Sequence, residues 1–211
     1  MTRKITEKQY SALQAAYDHL NARLFDGELP DVIITLNRKR GAAGYFSPER
    51  FVETETGEVV HEIALNPDTF TETVTAKKVL STLAHEMTHL WQNEFGDKNP
   101  RKAYHNREWA DKMEDIGLMP SSTGREGGSR TGQKMTHYVI EEGPFDWACE
   151  DLFMCAAPIM FTSVFLPLIP KAAKKNKIAY ACEVCGQKAW AKPEARLVCG
   201  ECHEGMEAEE E

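Results

Sequence analysis

What the chain lacks narrows its class first. None of its 211 residues falls in a run apolar for the roughly 18 residues that a membrane-spanning helix needs. The longest such stretch, Ala156 to Ile169, is too short and is interrupted by Pro158 and Pro167, so it reads as buried loop or a partner-facing segment. Met1 to Tyr10 has no apolar core of the kind a signal peptide carries. These absences predict a cytoplasmic protein with no membrane contact. Basic excess is missing too: 25 Lys+Arg stand against 33 Asp+Glu, a net charge of −8, which excludes tight nucleic-acid binding by bulk electrostatics. Internal repeats and low-complexity tracts are absent, and the 14 Gly and 10 Pro are those of an ordinary globular chain.

Cysteine is scarce, and its placement is informative. Four of the six cysteines form two Cys-x-x-Cys pairs, Cys182/Cys185 and Cys199/Cys202, with thirteen residues between them. In a reducing compartment that pattern reads as a zinc ribbon, whose closed tetrahedral site staples a unit too small for its own core. Gly186 and Gly200 are expected to relieve the two knuckle turns. Tyr180 and Trp190 read either as a miniature core or as surfaces for stacking on bases. Cys149 and Cys155 read as buried hydrophobes on different faces of one helix.

Charge divides the chain into a body of residues 1–170, a basic linker and ribbon over 171–203, and an acidic tail over 204–211. The ribbon unit carries seven Lys+Arg against three Glu, including Lys171, Lys174, Lys175 and Lys177. Glu204 to Glu211 supplies five carboxylates and reads as a frayed, solvated terminus. A weak DNA contact through residues 171–203 therefore remains open.

Within the body, Thr6 and Gln9 suggest a capping box opening a first helix, whose Tyr10, Leu13, Tyr17, Leu20 and Leu24 repeat at helical spacing up to Gly27 and Pro30. Val32 to Leu36, Gly44 to Ser47 and Val59 to Leu65 have strand character and predict a small antiparallel sheet. A second helix is expected from about Glu72 to Phe95 and a third from about Asn106 to Ile116, burying Trp109, Met113 and Ile116. The glycine- and hydroxyl-rich span from Pro120 to Gln133 reads as a functional or mobile loop. Met135 to Ile140 follows as a strand, and Pro144 opens a further helix.

The second helix carries His85-Glu86-Met87-Thr88-His89. Two histidines four apart share a helix face and converge on one ion, while Glu86 is offset to reach a water on that ion as general base. No metzincin continuation follows His89, so the third ligand is either His105 or Glu108. Asn66, Asp68 and Asp111 are candidates to hold ligand imidazoles from behind, and Tyr104 and Tyr138 to donate to an oxyanion. His137 is a further candidate near the site, whereas His19 and His61 read as structural. The small residues of Gly41 to Phe46 fit a hairpin turn or close approach of a substrate strand.

Leu20-Asn21-x-x-Leu24-Phe25-Asp26-Gly27-x-Leu29-Pro30, the HExxH run, Tyr104-His105-Asn106-x-x-Trp109 and the ribbon occur in an order that resembles the SprT-like zinc metalloproteases, relatives of the DNA–protein crosslink protease Spartan. That resemblance implies an α+β minimal zincin domain, a small sheet packed on the HExxH helix, followed by a four-cysteine zinc ribbon. It implies one catalytic zinc on His85, His89 and His105, one structural zinc on Cys182, Cys185, Cys199 and Cys202, and Glu86 as the catalytic acid/base. The implied substrate is protein, including protein bound or crosslinked to DNA near the nucleoid. Two other readings compete: a non-proteolytic, nucleic-acid-associated regulatory module, and a dedicated protease of one repressor or partner.

Overall fold

A computed structural model describes residues 4–69, 75–96, 104–155 and 177–209. The chain forms two compact units, Met1–Phe165 and Leu166–Glu211. The apolar stretch 156–169 and Lys171, Lys174 and Lys175 lie outside the described residues. No helix among the described residues is long and apolar enough to cross a membrane.

The first unit is mixed α and β. It runs α1 (Ile5–Leu24), β1 (Val32–Leu36), β2 (Gly44–Val52), β3 (Val59–Leu65), α2 (Ala76–Phe95), α3 (Arg107–Asp115), β4 (Leu118–Ser121), β5 (Thr136–Val139) and α4 (Pro144–Cys155). α1 buries Leu13, Tyr17, Leu20 and Leu24 on the predicted stripe, but Tyr10 is exposed and the capping box does not form. The helix already includes Thr6, because it starts at Ile5 behind Lys4, whose side chain makes no cap bond. Its far end is locked firmly: Asn21 Nδ2 donates to Leu29 O at 3.0 Å, Leu29 N donates back to Asn21 Oδ1 at 3.2 Å, and Tyr17 Oη donates to Pro30 O. Asp26 and Gly27 take left-handed φ values of 56° and 73° to turn the chain there.

The three-stranded sheet is mixed, not antiparallel. Its order is β1-β3-β2, with β1 parallel and β2 antiparallel to β3. β3 is the most buried of the three, with Ile63, Ala64 and Leu65 fully buried, so it takes the centre and separates two strands that are neighbours in sequence. β2 continues past Ser47 through a bulge, where Glu49 N donates to His61 Nδ1 at 2.9 Å.

α2 begins at Ala76, with Thr75 accepting from Lys78 N; the expected start near Glu72 lies outside the described residues. It is the core helix, burying twelve residues from Val79 to Gln92. Gly117, just past the Ile116 cap of α3, takes a φ of 89° that fits its predicted role as terminator. A Cβ there would also stand 2.8 Å from Phe145 N, which holds α4 against this turn. On α4, Cys149 is buried as expected but Cys155 is exposed, since six residues place them on different faces.

The second unit is a four-stranded sheet of order β7-β6-β9-β8, built from β6 (Ile178–Cys182), β7 (Lys188–Ala191), β8 (Leu197–Val198) and β9 (Gly205–Ala208). β9 corrects the expectation of a frayed acidic tail. Met206 pairs with both Cys182 and Leu197, and Ala208 pairs with Tyr180, so much of the tail is an inner strand of the ribbon.

Candidate metal centres

α2 and the start of α3 bring three imidazoles together. The ring centroids of His85 and His89 are 5.2 Å apart, and those of His105 lie 5.5 and 4.8 Å from them. One ligand nitrogen from each falls within 4.8 Å of the other two. The placement of His105 has a visible cause. Asn106 caps α3 by accepting from Trp109 N at 3.0 Å, and the same Oδ1 accepts from Gln92 Nε2 at 2.7 Å, one turn beyond His89. Gln92 Nε2 also donates to Glu108 Oε2 at 2.8 Å. Glu108 is thereby committed beside Gln92, and it is His105 that joins the pair from α2.

The span from Pro120 to Gln133 buttresses that ligand. His105 N and Nδ1 both donate to Gly132 O, at 2.8 and 3.0 Å, and Gly132 N donates to His105 O at 3.1 Å. Arg130 pairs with Asp111 and Glu114 on α3. Ser121 Oγ accepts from Thr123 N and Arg125 N, and Ser122 N donates to Ser129 O. Trp109, fully buried, floors the site: its ring stacks on His89 at 5.3 Å and meets His105 edge-on at 4.4 Å.

The donor chemistry fits a zinc ion. With Nδ1 of His105 committed to a carbonyl, its lone pair is on Nε2, 3.1 Å from Nε2 of His89. Tetrahedral zinc with ligands at 2.0–2.1 Å requires nitrogens about 3.3 Å apart. Burial is the main force keeping all three rings neutral at ordinary pH: His85 titrates well below its usual range and His89 at about 3, with repulsion from neighbouring imidazoles adding to burial, while His105 is lowered by burial against the opposing hydrogen bond to Gly132 O. Neutral imidazoles are the form a metal needs.

Glu86 is 5 % exposed, and burial pushes its carboxyl up to about 8, against the opposing pull of the Phe46 amide hydrogen bond and of Lys39. A dication alongside opposes that rise and favours the carboxylate. Gly44 makes room for it: a Cβ there would stand 3.0 Å from both Glu86 Oε1 and Ala64 O. The glycine run therefore serves two purposes, with Gly41 turning the chain at φ 80° and Gly44 admitting Glu86 to the edge of β2.

Other expectations are sorted by their contacts. Asn66 donates to Lys39 O and Ala42 O, Asp68 pairs with Arg38, and Asp111 pairs with Arg107 and Arg130. None of the three backs a ligand imidazole. His137 does touch the site, with Nδ1 3.2 Å from Nδ1 of His85. His19 bonds Ala148 O, and His61 holds the β2 bulge and faces Glu94. Tyr104 and Tyr138 are half-buried. Gln92, Gly132 and the floor role of Trp109 were not anticipated. Only Trp109 had a signal, in its apolar spacing.

The ribbon gathers Cys182, Cys185, Cys199 and Cys202 within one metal-sized cluster. Its two knuckles repeat one geometry: Gly186 N donates to Cys182 O at 2.8 Å, and His203 N donates to Cys199 O at 2.9 Å. The left-handed residues are Gly186 (φ 72°) and His203 (φ 56°), so Gly200 does not play the expected part. Tyr180 is core, donating to Lys192 O and accepting from Ala195 N, whereas Trp190 is 65 % exposed.

The model of the SprT-like family matches residues 13–132, more than half of the chain. A protein of Salmonella typhimurium described as an uncharacterized protein in the mucB 3' region is 48 % identical over 58 residues, which cover 28 % of this chain and 78 % of that protein. No solved structure matches the chain. The matched region includes the HExxH helix, His105 and the Gly132 buttress, and on it the chain belongs to the SprT-like family.

Proposed function

We propose that the chain is a zinc-dependent metalloprotease with a minimal zincin body, hydrolysing peptide bonds in protein substrates. One observation carries the reading: His85, His89 and His105 converge beside Glu86, a buried carboxyl on the same helix turn. Zinc held there supplies Lewis-acid polarisation and lowers the pKa of a bound water to about 7. The chain does the rest. Glu86, held by the Phe46 amide, takes up the proton from the attacking water and passes it to the leaving amine. β2 is an edge strand beside Glu86, so an extended substrate pairs with it. The four-cysteine ribbon carries a structural zinc, and its thiolates suit a reducing, cytoplasmic compartment.

A DNA contact is assigned to the ribbon through exposed Trp190, with Lys192 and Arg196 nearby in sequence and exposed. The contact is weak, because β9 brings Glu207 into the same sheet and Lys188 is paired with Glu209. Metal dependence tests the main reading. Cleavage of an unfolded protein substrate should disappear on chelation and return with zinc at two ions per chain; cleavage that survives full removal of metal overturns it.

A further inference from the structure

His137 stands outside the three-histidine set, on β5, and its neighbours settle where its protons are. Ser81 Oγ lies 2.9 Å from Lys78 O and 2.8 Å from His137 Nε2. A carbonyl only accepts, so the hydroxyl proton goes to Lys78 O and Oγ must accept from an Nε2–H. That makes His137 the Nε2–H tautomer, with a lone pair on Nδ1. This Nδ1 faces Nδ1 of His85 at 3.2 Å, and the proton between them therefore belongs to His85. His85 is left with its lone pair on Nε2, the nitrogen turned away from His137. Ser81, His85 and His137 are 0 %, 8 % and 5 % exposed, so bulk water competes little for these bonds.

We propose that Lys78 C=O, Ser81 and His137 form a buried relay that fixes the tautomer of His85 and thereby makes its Nε2 a metal ligand. The relay is built mostly by one helix face: Lys78, Ser81 and His85 follow one another at spacings of three and four on α2, and His137 closes it from the β4-β5 hairpin. It parallels the way Gly132 O fixes His105, with a side chain in place of a backbone carbonyl. His137 is a positioning residue. The inference rests on the metal reading of the three histidines and is independent of proteolysis.

The test uses the full zinc-loaded chain. A long-range proton–nitrogen spectrum should show His85 protonated on Nδ1 and metal-bound on Nε2, and His137 protonated on Nε2 only. In chelator competition, with the ribbon zinc as internal reference, His137→Leu should weaken the histidine site about 10- to 100-fold. His137→Gln, whose amide can accept from His85 and donate to Ser81, should recover most of that loss. Ser81→Ala, a small change that preserves packing, should release the His137 tautomer in the spectrum and lower affinity in the same direction, which covers the case of a misfolded His137→Leu. The relay is overturned if His85 binds through Nδ1, if a folded His137→Leu stays within about threefold of the parent, or if Gln is no better than Leu. A parent that takes up no zinc at the histidines defeats the metal reading and the relay together; a parent that does, with unchanged variants, defeats the relay alone.

Discussion

Gly44→Ala is the smallest substitution that should disturb Glu86, the carboxyl we propose as the base, without touching the three histidines. Gly44 does not have a left-handed φ, so alanine meets no backbone strain; what it meets is contact. The new Cβ would stand 3.0 Å from Ala64 O, 3.0 Å from Glu86 Oε1 and 3.1 Å from Glu86 Cγ, a few tenths of an ångström inside ordinary contact. Ala64 O belongs to the central strand and is hard to move. Either the β2 edge backs away, taking the Phe46 amide with it, or Glu86 swings aside. Overpacking of this kind costs about 1–3 kcal/mol of stability, and a displacement approaching 1 Å at a reacting group can cost about 100-fold in rate. The expected outcome is a fall in kcat of roughly 10- to 100-fold with two zinc ions retained, read by cleavage of a labelled unfolded protein alongside metal analysis. Gly41→Ala is the control. Its φ is 80° and nothing lies within 4 Å of a new Cβ, so it should lose about 1 kcal/mol of stability and keep its activity. Parental turnover in Gly44→Ala would refute the claim that this glycine makes room for Glu86.

Trp109→Ala should cost about 3–5 kcal/mol, lowering Tm by roughly 2–4 °C for each kcal/mol, and should also loosen zinc at the histidines; a melt within about 2 °C of the parent, on that same scale, would remove Trp109 as the floor. Thiol labelling of the zinc-loaded chain should modify exposed Cys155 and spare Cys149, whose thiol burial pushes up to about 12, with the four ribbon thiols reacting only after chelation. Because folded Cys149 keeps a proton that the unfolded chain releases above about 9, its contribution to stability should fall as pH rises from about 9 toward 12, and Cys149→Ala should flatten that fall in urea titrations.

What could be read in the sequence was mostly local. The HExxH helix announced itself because three- and four-residue spacing decides which side chains meet, and the Cys-x-x-Cys pairs did so because their chemistry has few other uses. His105 was visible only as one of two candidates; what selects it is Gln92, which engages Asn106 and Glu108 together, and a carbonyl of Gly132 that has no side chain to read. The sheet was misjudged because strand order depends on which strand is most buried, a nonlocal property, and β3 displaced the expected neighbour pairing. Charge concealed β9, where Met206 and Ala208 alternate among glutamates and pair into the ribbon. At the second knuckle the glycine drew attention to Gly200, yet the repeat of the first knuckle's hydrogen bonds puts the left-handed turn at His203.

The central claim is that Glu86 moves the proton while the three histidines hold the ion. Glu86→Gln keeps size and packing but removes the base, and Glu86 is not one of the three clustered imidazoles, so metal binding should be untouched. Measured on one preparation, the account predicts two zinc ions per chain and cleavage reduced by at least about 100-fold. Cleavage at the parental rate by a zinc-loaded Glu86→Gln chain would contradict it.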